Sequence, residues 1–231
     1  MRFITLLTAV GSFLASQTNI VEARRAIDNG EQNEVSEQTA AKTQADIVVL
    51  ADESGSIGYD RYSDIIIPAI KDLANEFSLA PNQVRVAAIT FSSENYEQVH
   101  FKLDSPEATN KEAFIGTVQD KVLRSYRGGS TWPYSALRAV DEQLQFHAQT
   151  RPGVPFVTMF ITDGEVYDAE RSLQALADIK KNPDAKLVCV GIADGARSDF
   201  LQKACDPNFT FKAEDFGKFR GVMRTLAKRV N

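Results

Sequence analysis

The sequence predicts an α/β fold: a Rossmann-like, doubly wound, mainly parallel central sheet with one antiparallel edge strand and helices on both faces. Three observations predict it. Ile47-Val48-Val49-Leu50-Ala51 is a continuous apolar run, as a strand buried on both faces is. From Asp46 onward strand-like and helix-like segments take turns, which implies parallel strands joined by covering helices. Glu97 to Leu103 alternates polar and apolar residues, which suits an edge strand paired by a hairpin.

The elements follow in order. After the first strand, Tyr59, Tyr62, Ile66, Ile70, Leu73 and Phe77 recur at helical spacing. Pro68 interrupts that helix and removes the hydrogen bond to the Asp64 carbonyl, so a kink is expected there. Val84 to Phe91 is the second strand, entered through Ala80-Pro81-Asn82. Pro106 to Leu123 has helical patterning, weaker than that of Trp132 to Gln149, where Leu137, Val140, Leu144 and His147 share a face. Phe156 to Thr162 and Lys186 to Ala193 are strands, with a helix from Asp168 to Lys180 between them. A short helix from Ser198 to Ala204, a short strand from Asn208 to Lys212 and a closing helix from Glu214 to Arg229 complete the pattern. One domain therefore spans 46–231, with no internal repeat.

The N-terminus reads differently. Arg2 followed by the mostly apolar Phe3 to Leu14 has the length of a signal-peptide core and is short for a membrane span. Residues 1–23 are read as a signal peptide, cleaved between Ala15 and Ala23. Residues 24–45 are rich in Glu, Gln, Asn, Thr and Ala and read as a disordered leader, because they lack apolar surface to offset the entropy of ordering. The expected product is secreted, with no transmembrane segment and no membrane anchor after Arg229. Cys189 and Cys205 are an even pair that allows one disulfide, while Cys189 also fits a buried strand position. Asn208-Phe209-Thr210 is a glycosylation sequon, meaningful in a eukaryotic secretory route. The 231 residues carry a formal net charge of -5, so no nucleic-acid partner is expected. The two histidines, His100 and His147, cannot form a local zinc motif.

Three polar clusters stand at the ends of elements. Asp52-Glu53-Ser54-Gly55-Ser56 directly follows the first strand, Gly128-Gly129-Ser130-Thr131 precedes a helix, and Thr162-Asp163-Gly164-Glu165 follows a later strand. Ligands of open α/β sheets bind beyond the carboxyl ends of the strands. Carboxylate and hydroxyl oxygens are hard donors suited to Mg²⁺, Mn²⁺ or Ca²⁺. Taken singly, Asp52, Ser54 or Thr131 could cap a helix and Asp163-Gly164 could form a plain turn. Together those readings would require unrelated caps to meet at one sheet edge.

Asp52-x-Ser54-x-Ser56, Thr131 after Gly-Gly-Ser, and Asp163 in Ile161-Thr162-Asp163-Gly164 resemble, in order, the parts of a metal-ion-dependent adhesion site. From Asp46 to the C-terminus the chain resembles the von Willebrand factor A and integrin I family. The resemblance implies a divalent cation, Mg²⁺ by preference, held by Asp52, Ser54, Ser56, Thr131 and Asp163. It implies that Ser54, Ser56 and Thr131 are direct or near-direct ligands and that one or both aspartates act through water. It further implies an open coordination position for an acidic side chain of an extracellular or cell-surface protein. In related domains the last helix, here Phe216 to Leu226, slides between affinity states. The sequence departs from the family in placing Trp132 and Pro133 after the threonine; Trp132 is expected as a core aromatic under the loop, with an exposed contact anchor as the alternative. Glu53 is expected to point away from the site without a ligand role.

Other functions fit less well. Ser-Gly-Ser-Ile-Gly lacks dinucleotide-binding glycine spacing, and Asp52 would repel a pyrophosphate. Neither Ser54 nor Ser130 lies in a hydrolase nucleophile motif. A metal-dependent hydrolase would need a general base, and none stands beside the ligands. No enzyme is expected. The stronger rival is a structural or assembly module of the same fold whose metal only orders loops. Lys218, Arg220, Arg224, Lys228 and Arg229 could attract a polyanionic glycan, although basic residues near a helix C-terminus also favour the helix itself.

Overall fold

The computed structural model describes residues 44–193 and 198–212. The predicted signal peptide, nearly all of the leader and the closing helix lie outside the described residues. Among the described residues six strands form one sheet in the order β3-β2-β1-β4-β5-β6. They are β1 (Ala45–Asp52), β2 (Val84–Phe91), β3 (Glu97–Phe101), β4 (Phe156–Thr162), β5 (Ala185–Gly191) and β6 (Thr210–Lys212). β3 is antiparallel to β2 at one edge, and all other neighbours are parallel. β1 begins at Ala45, one residue inside the stretch read as leader.

The central strands are buried along their whole length, which explains their unbroken apolar runs. The pleat of β1 divides them between two cores. Ile47, Val49 and Ala51 pack with Ile66, Ile70 and Leu73 on one side, and Phe114 and Val118 join them. Val48 and Leu50 pack on the other side with Leu137, Val140, Leu144, Leu176 and Ile179. The two faces are thus covered by different helices: α2 (Ile67–Glu76) and α3 (Lys111–Thr117) on the first, α4 (Tyr134–Thr150) and α5 (Ala169–Ile179) on the second.

Two expected helices are irregular. Before α2 comes the single turn α1 (Tyr59–Arg61) and then a π-turn, Tyr62–Ile66, which ends with the Ile67 N–H donating to the Tyr62 carbonyl. Pro68, within the first turn of α2, lacks an N–H to donate, and the wider turn just before it takes up the break that was expected as a kink. Pro106 to Leu123 is a succession rather than one helix. A 3₁₀ turn (Pro106–Thr109) stops at Asn110, whose side chain caps α3 by accepting from the Ala113 N–H at 2.8 Å. A π-turn (Val118–Val122) and a second 3₁₀ turn (Leu123–Ser125) follow.

α6 (Asp199–Ala204) is capped by Ser198 and leads to Cys205, which is bonded to Cys189 of β5 with Cα atoms 6.3 Å apart. Both cysteine readings therefore hold at once: Cys189 is a fully buried strand residue and half of a disulfide. The bond spans a sequence separation of 16 and stabilises by roughly 3 kcal/mol in the chain-entropy account. Among the described residues no helix is long and apolar enough to cross a membrane.

Candidate cation site at the strand ends

The strand order places β1 between β2 and β4, so the chain leaves β1 towards one side and returns on the other. The carboxyl ends of β1 and β4 therefore meet where a doubly wound sheet opens a ligand crevice. The registers Ala51↔Ile161 and Asp52↔Phe91 put Asp52 at this end, with Thr162 and Asp163 on the neighbouring strand end.

Asp52 is fully buried. Its Oδ1 accepts from the Ser54 N–H at 2.8 Å, and its Oδ2 accepts from the Thr162 hydroxyl at 2.7 Å. Thr162 in turn accepts from the Gly164 N–H at 3.0 Å. Gly164 has φ 81°, a left-handed value that turns the chain back beside Asp163. Burial pushes the Asp52 carboxyl up to about 7 against its hydrogen bonds from Ser54 and Thr162, and the Asp163 charge pushes the same way. The Asp163 charge thus adds to the burial cost of an ionised Asp52, a cost that a cation relieves.

The hydroxyls come next. Ser54 is buried and Ser56 exposed, and their Oγ atoms lie 3.1 Å apart. Thr131 is buried, its carbonyl accepting from the Tyr167 N–H at 3.0 Å. Its loop is tied to the first by the Gly55 N–H, which donates to the Gly129 carbonyl at 2.8 Å, and to β2 by the Trp132 N–H, which donates to Ser92 at 2.7 Å. Gly129 has φ 92°, and a Cβ there would collide with the Ser93 hydroxyl, so only glycine permits this close approach. Asp163 is half-buried, with one carboxylate oxygen 3.3 Å from the Glu165 N–H. Among the described residues no group of three or more His, Cys, Asp or Glu side chains could hold a metal. The donor set is therefore hydroxyl-rich, with two carboxylates, and suits a hard cation rather than a soft one.

Sequence reasoning missed several supports. Thr162 orients Asp52 directly. Asp168 accepts from the Tyr134 N–H at 3.2 Å and from the Ser172 hydroxyl at 2.9 Å, joining the starts of α4 and α5. Its position just before a helix was the available signal. Glu53, expected to point away, is wholly buried and accepts from the Ser125 hydroxyl at 2.8 Å. Trp132 is not a core residue: it is half-buried and stacks on Tyr167, with ring centroids 5.8 Å apart and planes 8° apart. Pro133 and Thr131 are the buried residues on either side of it. Tyr167, 71% exposed, and Tyr59, 53% exposed, both follow site loops closely and leave aromatic surface on this face.

A doubly wound sheet with oxygen donors on three loops at its switch point defines a class of ligand-binding α/β domain. The von Willebrand factor type A domain profile matches residues 46–225, and the chain belongs to that family. It is 32% identical over 188 residues to the collagen alpha-6(VI) chain of Homo sapiens, covering 80% of this chain and 8% of that one. It is 25% identical over 206 residues to sporozoite surface protein 2 of Plasmodium yoelii yoelii, covering 88% of this chain and 23% of that one. The chain thus spans less than a quarter of the length of either relative. Among solved structures, manganese-loaded TRAP protein of Plasmodium vivax shares the fold with a TM-score of 0.67 at 24% identity, over 80% of this chain and 74% of that one. Proximal thread matrix protein 1 of the mussel byssus, with a zinc-occupied MIDAS motif, shares it with a TM-score of 0.65 at 22% identity, over 80% and 48%.

Proposed function

We propose that this chain is a secreted adhesion or ligand-binding module that holds one divalent cation, Mg²⁺ by preference, through Asp52, Ser54, Ser56, Thr131 and Asp163. The observation that carries the reading is Asp52: a buried carboxylate, fixed by the Ser54 N–H and the Thr162 hydroxyl, beside a second carboxylate and a pair of hydroxyls. When bound, the cation supplies a Lewis-acidic coordination position that accepts a carboxylate from a protein ligand. The chain's own residues do the rest. Ser54 and Ser56 offer neutral oxygens, which leave more positive charge on the cation than carboxylates do. Thr162 holds Asp52 in one orientation, and the Gly55–Gly129 bond holds the Thr131 loop against the Asp52 loop. Tyr59, Trp132 and Tyr167 supply aromatic surface around that position for the partner.

Several facts support binding outside the cell. The matched relatives bear the names of collagen chains and a sporozoite surface protein, and two fold neighbours are described with manganese or zinc. The Cys189–Cys205 disulfide is of a kind that oxidising compartments maintain. We assign residues 1–23 to a signal peptide and 24–45 to a leader on the same footing, with Ala45 the first residue of β1. Binding rather than catalysis is favoured because His100 bonds Thr90 and His147 bonds Asp46, which leaves neither as a general base at the site. An assembly module whose cation only orders loops is the second reading, favoured by the matrix names of the relatives.

Titration calorimetry of the full chain tests the site. Saturable binding of Mg²⁺ and Mn²⁺ is expected, weakened at least ~100-fold in both Asp52→Ala and Thr131→Ala. Absence of binding by the wild type, or unchanged affinity in either variant, contradicts the ligand set. If the wild type binds cation but EDTA does not release the chain from a surface that captures it, the assembly reading replaces the adhesive one.

A further inference from the structure

Residues 126–133 have no helix or strand of their own, and Gly128 and Gly129 both adopt left-handed φ values. A segment of that kind is placed by what it is tied to. Its ties run in step along the first loop. The Ser125 hydroxyl donates to Glu53 Oε2 at 2.8 Å, the Gly128 N–H to the Glu53 carbonyl at 3.1 Å, the Tyr126 hydroxyl to the Ser54 carbonyl at 3.4 Å, and the Gly55 N–H to the Gly129 carbonyl at 2.8 Å. Glu53 contributes to two of the four.

The side-chain tie belongs to a small network. The Ser125 hydroxyl has Glu53 Oε2 and the Val122 carbonyl, at 2.7 Å, in reach as acceptors. Tyr62 also donates to that carbonyl at 2.8 Å, and its hydroxyl lies 3.3 Å from Ser125 Oγ, so the four groups hold one another. Tyr62 is aimed there by the π-turn that precedes α2. Glu53 is fully buried, and its carboxyl faces the hydroxyls of Ser125, Thr90 and Tyr62. A buried carboxyl is costly even when hydrogen-bonded, and an apolar residue would fill the space more cheaply. Departures of this sort concentrate where position matters more than stability.

We propose that Glu53 is a positioning residue, clamping residues 122–131 to the first loop and so setting where Thr131 stands. The proposal rests on the cation reading above. Thr131 lies only a few residues beyond the clamp, and its loop is further held by bonds between Gly55 and Gly129 and to Ser92, Tyr167 and the Ser93 hydroxyl, all of them made by backbone groups of the loop. Release at Glu53 leaves the first loop and its ligands in place while the Thr131 loop drifts.

The experiment compares the full-length wild type with Glu53→Ala, Glu53→Gln and Ser125→Ala in two measurements. The first is Mn²⁺ affinity by calorimetry. The second is emission from Trp132, the one tryptophan of the sequence, recorded in EDTA. Expected are a ~10- to 100-fold loss of Mn²⁺ affinity in Glu53→Ala, the range seen when an outer support of a metal ligand is removed, and a smaller loss in Ser125→Ala. Glu53→Gln should stay within about 3-fold of the wild type, because its amide oxygen still accepts from Ser125. Trp132 emission in EDTA should shift in Glu53→Ala and Ser125→Ala only, since a role confined to stability would move melting and not the emission of the folded chain. Wild-type affinity and emission in Glu53→Ala overturn the proposal. Equal losses in Glu53→Gln and Glu53→Ala also overturn it, because charge rather than position would then be at work. Should Glu53→Ala not fold, unchanged affinity and emission in Ser125→Ala are decisive against it. If the wild type binds no Mn²⁺, the cation reading fails on its own and the EDTA emission still decides the clamp.

Discussion

Asp52→Asn raises the melting temperature of the cation-free chain at pH 8 and removes the further rise that Mg²⁺ gives the wild type. The sign follows from the Asp52 carboxyl, which burial pushes from 3.8 up to about 7. A folded carboxyl raised in this way binds its proton more tightly than the unfolded one. Stability of the cation-free wild type therefore falls as pH rises from about 4 to about 7 and is level above that. The difference is on the order of 4 kcal/mol, or roughly ten degrees of melting temperature for a domain of this size. Asparagine has no charge to bury and can still accept from the Ser54 N–H. A cation reverses the balance for the wild type alone, because it holds Asp52 ionised. Cation affinity accordingly drops as pH falls below about 7. Thermal melts of both proteins in EDTA and in Mg²⁺, at pH 5 and pH 8, give the full pattern. A variant less stable than the wild type in EDTA at pH 8 contradicts this reading.

The other large effect lies at the opposite end of β1, about 20 Å away at strand spacing. Asp46 is fully buried and accepts from Arg85, from His147 at 2.7 Å and from Arg151 at 2.6 Å. Burial alone would raise its carboxyl, but the Arg85 and His147 hydrogen bonds and the Arg151 charge outweigh it and hold the group below its ordinary value. Asp46→Ala leaves two guanidinium groups without their common anion and costs about 3–5 kcal/mol. Urea denaturation at pH 7 measures the loss. The pH sign is opposite to that of Asp52: the Asp46 contribution is complete above the unfolded value of 3.8 and is lost as pH falls through the lower folded value. Acid unfolding of the variant should therefore lack that limb. A loss below 1 kcal/mol would mean that the cluster does not hold the sheet base.

Most of the sheet was legible because each central strand is a local apolar run, and Val84–Phe91 and Phe156–Thr162 match their expected limits. The ligand candidates were legible because they lie in short strings, two immediately beyond strand ends and one just before a helix. What supports them was not. The Asp52–Thr162 bond joins residues 110 apart, and the Glu53–Ser125 bond joins residues 72 apart, so nothing local in the sequence marks either. The break of Pro106 to Leu123 into turns went unread for a related reason. Phe114, Val118 and Val122 keep helical spacing to reach the core, while the backbone between them changes its hydrogen-bond step. Trp132 falls nearer the exposed alternative than the core one, and its stacking partner Tyr167 lies 35 positions on, where no local pattern marks it.

The proposed function requires one cation among Asp52, Ser54, Ser56, Thr131 and Asp163. An anomalous difference map at the manganese edge, from crystals of the chain grown with Mn²⁺, locates it. One strong peak enclosed by those five residues is expected, absent from crystals of Asp52→Ala grown in the same way. A peak elsewhere, or none in wild-type crystals at saturating Mn²⁺, would contradict it.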